Sequence, residues 1–439
     1  MRRNRSSPAS FPTRPRAGCR KARCLCAHTS RFRRPGWCSA SRRSTLARNL
    51  SPGSQRPPLA LAAVTIAAAW GALYSVGLWI TAYLTFPVHD DVRYDYVAAQ
   101  AGLRYGWSKI YNIDLLRGLS SGFPAPQNTI HPGGTFINPP LLAWLWTPLV
   151  AFPEPAAYLV WTVLCLVAYV WAWHIAAPFT GWGKIALLLA GLALWPVMEA
   201  FYFGQPTMLV LALVATAWWL MRGDRMIAAG VALAFATALK PQVVIMVPVC
   251  LLAAGRFRPL IGWGVAGIVI AAVSALSLGT SGLNEYWQTL KWIQTDTGHS
   301  FYTLAGVLGT GLVTYALLAL QGVACAFVAW RRRDDLDVVF AAGLLGSLMI
   351  SFHLHQADYS NLLLAGWLVL RGAPSVAHKA WLAIGFVTMQ VLTMGLPVPQ
   401  LVWNVVWLAV LGFGAGWRQM RPVSLSIPRM LMKKAAKTV

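Results

Sequence analysis

Long apolar runs alternate with short polar breaks along this chain, and the runs have helical rather than strand length. Thirteen stand out: 58–86, 137–152, 156–178, 183–203, 205–221, 226–239, 242–254, 259–278, 303–330, 337–352, 360–370, 380–395 and 400–417. A helix that crosses a bilayer needs roughly 17–25 predominantly apolar residues. Several runs are shorter and are bounded by Pro, Gly or a charge, which predicts tilted or broken helices. The run 137–152 carries Pro139, Pro140 and Pro148, so it is expected to dip in or lie at the interface without crossing. The pattern predicts an all-α, polytopic membrane protein of about twelve transmembrane helices with a long, partly helical first outer loop. In that loop, Tyr94 to Tyr105 sets Ala98, Ala99, Ala101 and Leu103 at helical spacing.

Charge orients the runs. Arg222 with Arg225, Arg256 with Arg258, the triplet Arg331, Arg332 and Arg333, and Arg371 with Lys379 fall between runs at regular alternation. The positive-inside bias assigns them to the cytoplasm. The loop 87–136, the turns at Gly204 and Lys240, the loop 279–302, the turn around His355 and residues 396–399 then face outward. Both termini are expected in the cytoplasm, and the protein in a bacterial inner (plasma) membrane.

Composition sharpens this. The chain is 57% hydrophobic and 11% charged, against about 25% charged in soluble domains. That excludes a soluble enzyme, a disordered protein and a disulfide scaffold. The net charge of +24 suggests nucleic acid until its distribution is read. Residues 1–57 hold 15 basic residues and no acid, and residues 418–439 hold six more and no acid. The body between them is nearly neutral, so no nucleic-acid partner is expected. The chain divides into a disordered basic cytoplasmic tail (1–57), a transmembrane domain (58–417) and a second basic tail (418–439). The first tail also has the Arg-rich, Ser-rich make-up of a transit peptide, or lies upstream of the true start. Cys19, Cys24, Cys26 and Cys38 in the tail lack zinc-site spacing, and Cys165, Cys250 and Cys325 lie in apolar runs, so all read as free thiols.

Candidate chemistry concentrates in the first outer loop. It is about fifty residues long, and loops beyond about 12–15 residues are usually functional or disordered. It opens with His89, Asp90 and Asp91 directly after the first run. Those acids fit two roles, an N-cap for the following helix or a general base at the membrane surface.

A resemblance bears on the choice. The stretch Asp91, Val92, Arg93, Tyr94, Asp95, Tyr96, Val97, Ala98, Ala99, then Gly106 and Ile110 with Tyr111, resembles the start of glycosyltransferase family 87. That family belongs to the C-type superfamily of polytopic transferases, similar to the alpha-mannosyltransferases, which use polyprenyl-phosphate sugars. Further similar elements follow in order: Asn138, Pro139, Pro140, Leu141 and Leu142, then Pro148; Trp195 and Pro196 ahead of Gly204 and Gln205; Gly230, Ala234 and Ala238, then Leu239, Lys240, Pro241 and Gln242; and His353, Leu354, His355, Gln356, Ala357, Asp358 and Tyr359. The resemblance covers about residues 58–417. Two features depart from it. Members often carry Asn two residues after the Gln of the Gly-Gln pair, where Pro206 and Thr207 stand here. The loop 279–302, from Glu285, Tyr286, Trp287 and Gln288 to His299, lacks a clear Asn-Gln-Ser-Leu element.

The resemblance implies an integral-membrane hexosyltransferase. It would move a sugar such as mannose from a polyprenyl-phosphate donor to a lipid or glycan acceptor at the outer face, with inversion. It implies a catalytic base in the first outer loop, which is Asp91 by motif position, with Asp90 as the alternative. The lipid-phosphate leaving group needs donors or positive charge, and Lys240, His355, His353 and Arg93 are the candidates. Asn138, Gln205, Asp95 and Asp358 are candidates for binding substrate. Bland roles stand beside these: Lys240 as a snorkelling helix-end lysine, Asn138 and Gln205 as helix caps, and the histidines as structural. Glu199 fits either the cavity or the surface. Asp90, Asp91 and Asp95 could hold a divalent ion, but a monophosphate leaving group does not require one, so no metal and no cofactor are expected. The rival readings are a transporter or flippase of lipid-linked saccharides and a non-catalytic scaffold. A transporter places ionisable groups at the midplane and shows repeats; here the acids fall at one face.

Overall fold

A computed structural model describes residues 58–85, 90–121, 136–295 and 300–414. Both basic tails lie outside the described residues. Among the described residues there is no strand. The α-helices run α1 (Leu59–Thr85), α2 (Asp90–Tyr105), α3 (Ile113–Ser120), α4 (Pro140–Trp146), α5 (Glu154–Ala176), α6 (Gly181–Leu192), α7 (Trp195–Tyr202), α8 (Thr207–Arg222), α9 (Met226–Leu239), α10 (Met246–Ala253), α11 (Phe257–Thr295), α12 (Leu304–Leu308), α13 (Leu312–Arg331), α14 (Leu336–Ile350), α15 (Asn361–Arg371), α16 (Val376–Val391) and α17 (Val398–Phe413).

Each apolar run contains a helix, but the helices differ in length from the twelve-span expectation. Four of them, α1, α5, the first leg of α11 and α13, are long and apolar enough to cross a bilayer, and the bent pair α6–α7 makes a fifth. The helices α8, α9, α14 and α17 are apolar but hold only 14–16 residues. Pro140–Ala151, which joins α4 to a 3-10 turn, is also short. At 1.5 Å per residue it reaches about 18 Å, well under a bilayer's core of about 30 Å.

Arginines at the ends of α8, α13 and α15 gather at one end of the bundle. Arg222 at the end of α8 lies 3.6 Å from Asp337 at the start of α14. The guanidiniums of Arg222 and Arg371 lie 5.1 and 5.0 Å from the centre of the Trp218 ring. Arg371 donates to the Ala176 carbonyl at the end of α5, and Arg331 and Arg332 donate to the carbonyls of Gly412 and Leu411 at the end of α17. Cations on terminal carbonyls satisfy groups that a helix cannot pair internally and complement its dipole.

The long and short helices meet at that basic end, so the short ones stop early at the other. α5 has 23 residues and α8, α9 and α14 have 16, 14 and 15. The inner helices are thus about 10–14 Å shorter than α5. α2 packs against α3, α4 and the 3-10 turn that follows α4, with Val92, Arg93, Asp95, Val97, Ala98, Ala99 and Ala101 all buried.

Small residues and local breaks shape the rest. α1 buries only Thr65, Ala68, Ala72 and Ser75, a narrow small-residue stripe that allows close approach to α6. The 59° bend between α6 and α7 leaves backbone groups unpaired. Gln390 of α16 meets two of them, donating to the Ala193 carbonyl at 2.8 Å and accepting from the Trp195 N–H at 2.8 Å. α11 kinks at Gly279, where φ is 60°. The run 259–278 is thus its first leg, and much of the expected loop 279–302 is a second, polar leg. That leg reaches the first outer loop, where Tyr286 stacks on Tyr111 at 4.5 Å and Glu285 accepts from Asn112 at 3.1 Å. His299 lies outside the described residues. Cys165, Cys250 and Cys325 are buried free thiols.

Candidate active site

Four chain segments converge where the short inner helices end. The first is α2, which presents Asp91 half-buried in its first turn. The second is the turn between α7 and α8. Gly204 there has φ +66°, and a Cβ on it would lie 2.3 Å from Val92 Cγ2. Only glycine allows both that backbone conformation and that approach. Trp161 donates to the Gly204 carbonyl at 2.6 Å, and Tyr158 donates to the carbonyls of Phe201 and Tyr202. The turn is thereby fixed against α2 and presents Gln205.

The third segment is the end of α9. Pro241 has no N–H to donate and disfavours helix at the residue before it. α9 therefore stops at Lys240, whose φ is −152°. The fourth is the 3-10 turn Gln356–Ser360 between α14 and α15.

These segments join through one hydrogen-bonded chain. Gln205 donates from Nε2 to Asp91 Oδ2 at 2.8 Å. Lys240 donates from Nζ to Gln205 Oε1 at 2.7 Å and to Thr207 Oγ1 at 3.0 Å. The same ammonium pairs with Asp358 Oδ1. Asp358 Oδ2 accepts from the His355 backbone N–H at 2.9 Å. The His355 ring meets His353 edge-on, 5.2 Å between centroids. Lys240 is 4% exposed and Asp358 is fully buried.

Two more acids border this chain. Asp95 lies one turn below Asp91 and is 1% exposed. Asn138 donates to its Oδ1 at 3.3 Å, and the Asn138 carbonyl accepts from the Tyr111 hydroxyl at 2.7 Å. Burial pushes the Asp95 carboxyl well above the usual carboxylate range, and the neighbouring Asp91 charge adds to this against the opposing pull of Asn138 and Lys240. Glu199 of α7 is buried, accepts from the Ala357 backbone N–H, and feels the charges of Asp358, Asp91 and Lys240. Among the described side chains, the carboxyls of Asp91, Asp95, Glu199 and Asp358 thus lie around the Lys240 ammonium.

Of the expected residues, Asp91, Gln205, Lys240, Asp358, His355 and His353 come together, and Asp95 with Asn138 lies directly below. Arg93 is fully buried, and its charge attracts Glu154 at the start of α5. The side chain of Asp90 lies outside the described residues. Glu199, which the sequence leaves open between cavity and surface, is buried at the cavity side, and Thr207 is a site residue that sequence reasoning misses. The departure Pro206-Thr207 was the one signal for Thr207, since it replaces an amide with a hydroxyl that Lys240 reaches. Among the described residues, no three His, Cys, Asp or Glu side chains are grouped to hold a metal ion.

The fold is that of a multi-helix membrane protein with a recessed polar site. The sequence model of glycosyltransferase family 87 matches residues 136–354. The chain belongs to that family and is a membrane glycosyltransferase. The matched span includes Asn138, Gln205, Lys240 and His353 and ends just before His355. No curated protein and no solved structure matches the chain.

Proposed function

We propose that this glycosyltransferase moves a hexose, with mannose the first to test, from a polyprenyl-phosphate donor to a lipid or glycan acceptor at the outer face of a bacterial plasma membrane. The observation that carries the reading is the hydrogen-bonded chain from Asp91 through Gln205 and Lys240 to Asp358 and His355. It holds a half-buried carboxylate, with the His355 and His353 rings beside its far end, at the end of the bundle opposite Arg222 and Arg371. Positive-inside bias turns the arginine end to the cytoplasm and the site outward. A site at the outer ends of helices about 10–14 Å shorter than α5 suits a donor whose sugar-phosphate bond lies at headgroup depth.

The acceptor hydroxyl oxygen forms a bond to the anomeric carbon as the bond from that carbon to the phosphate oxygen breaks. The electron pair leaves with polyprenyl phosphate. The hydroxyl proton passes to Asp91, which acts as general base. The transition state has oxocarbenium character, and one displacement inverts the anomeric centre. His355 and His353 donate to the departing phosphate. Asn138, with Asp95 behind it, binds sugar hydroxyls. No residue in this scheme calls for a metal, because the leaving group carries a single phosphate.

The test is a donor panel on protein reconstituted in lipid nanodiscs, with radiolabelled polyprenyl-phosphate mannose and glucose beside the matching nucleotide sugars. Transfer from a polyprenyl-phosphate sugar, with an inverted anomeric centre by NMR, is the expected result. Transfer from nucleotide sugars alone, or retention, overturns it.

A further inference from the structure

Lys240 resembles a phosphate ligand until its donors are counted. An ammonium has three N–H groups and no acceptor. Here the three face Asp358 Oδ1, Gln205 Oε1 and Thr207 Oγ1. At 4% exposed, the group is enclosed by the protein that binds it. Binding a phosphate would require breaking one of those contacts.

The contact to Gln205 has a consequence for the base. A carboxamide is nearly symmetric in shape, with an acceptor on one side and a donor on the other. Because Lys240 only donates, it fixes the Gln205 oxygen toward itself. The Gln205 NH₂ is then turned to Asp91, where it donates to Oδ2 at 2.8 Å. Were the amide reversed, its oxygen would face the carboxylate, acceptor against acceptor.

We propose that Lys240 is a positioning residue: through Gln205 it locks the orientation of the Asp91 carboxylate, leaving Oδ1 to receive the acceptor proton, and it does not bind the donor phosphate. This rests on Asp91 being the base in the function proposed above. Thr207 and Asp358 complete the device by fixing the ammonium on its other sides. Among the described side chains, the charged groups coupled to this cluster are Asp95 on the helix of Asp91, Glu199 on α7, Lys240 at the end of α9 and Asp358 beyond it. Lys240 is the single cation in that set; replaced together with Asp358 it leaves the net charge there unchanged, so the paired variant acts on Asp91 through the amide.

The test compares Gln205→Leu, Lys240→Met/Asp358→Asn and the combination of all three substitutions. The pair is replaced together so that no charge is left buried alone, and Asn at 358 can still accept from the His355 N–H. With a polyprenyl-phosphate sugar as donor, Gln205→Leu and the paired variant are each expected to lower kcat roughly ten- to a hundredfold. The donor KM should stay within about threefold, and the combination should lose little more than either alone. A rise in donor KM with kcat preserved, or losses that multiply, would make Lys240 a phosphate ligand and overturn the proposal. A second readout needs no donor. Carbodiimide modification of Asp91, a reaction of the protonated carboxyl followed by mass spectrometry, should speed up several-fold at fixed pH in both variants. Unchanged labelling overturns the positioning role even if the donor assignment fails. Faster labelling without transfer from any donor leaves the positioning intact and removes the proposed activity.

Discussion

Replacing Gly204 by Ala perturbs the closest backbone approach at the site. The new methyl would sit 2.3 Å from Val92 Cγ2, with Tyr158 and Trp161 at 3.4 and 3.6 Å, on a residue whose φ is +66°. The left-handed backbone alone costs about 1–2 kcal/mol for an L-residue. Overfilling a packed site adds about 1–3 kcal/mol. Relief is not available toward the two aromatic rings, which hydrogen-bond to this same turn. α2 must give way instead, and Val92 is the residue next to Asp91. A shift of about 1 Å between α2 and the turn would separate Gln205 from Asp91, and displacements of that size cost about a hundredfold in rate. Thermal unfolding in detergent and turnover in nanodiscs would be measured for Gly204→Ala and for Gly204→Ala/Val92→Ala. The second change removes the clashing methyl, so it should recover most of the rate, while the backbone strain leaves part of the stability loss. A single variant with unchanged rate and stability, or a double variant no better than the single, refutes the reasoning.

Three further outcomes are expected. Asp358→Ala leaves the Lys240 ammonium buried without its counter-ion and should destabilise the protein by about 3–5 kcal/mol, read as a fall in the detergent unfolding midpoint. Asp95, raised by burial and by Asp91, holds its proton more tightly folded than unfolded. Stability should therefore fall as pH rises above about 4, and Asp95→Asn should flatten that decline in unfolding scans from pH 5 to 9. Gln390→Ala strands the Ala193 carbonyl and the Trp195 N–H at the α6–α7 bend and should cost about 1–3 kcal/mol, again read by thermal unfolding.

The fold was largely legible because apolar run length and proline placement are local properties. All thirteen runs hold helices, and Pro139, Pro140 and Pro148 confine Pro140–Ala151 to a short broken piece. Span length was less legible. A hydropathy run does not say that α8, α9 and α14 hold only 14–16 residues. The apolar run ends at Leu278, yet the chain continues helically beyond Gly279, where the second leg has Tyr111 and Asn112 to pack on. At the site, motif order brought Asp91, Gln205, Lys240 and His355 to one end of the bundle in advance. What order does not carry is pairing. That Lys240 faces Asp358 and Thr207, and that Glu199 joins the cluster, depends on the turns at Gly204 and Pro241. Arg93 shows the converse. Two residues from Asp91, it lies about 200° around the helix, where Glu154 attracts it.

The central claim is most directly tested by sugar transfer from the polyprenyl-phosphate donor by wild type and Asp91→Asn, with both proteins shown to unfold at the same temperature. Loss of a general base should lower turnover by about 10²–10⁴-fold with little change in donor KM. Equal transfer by the two proteins would contradict Asp91 as the base and, with it, the chemistry assigned to this end of the bundle.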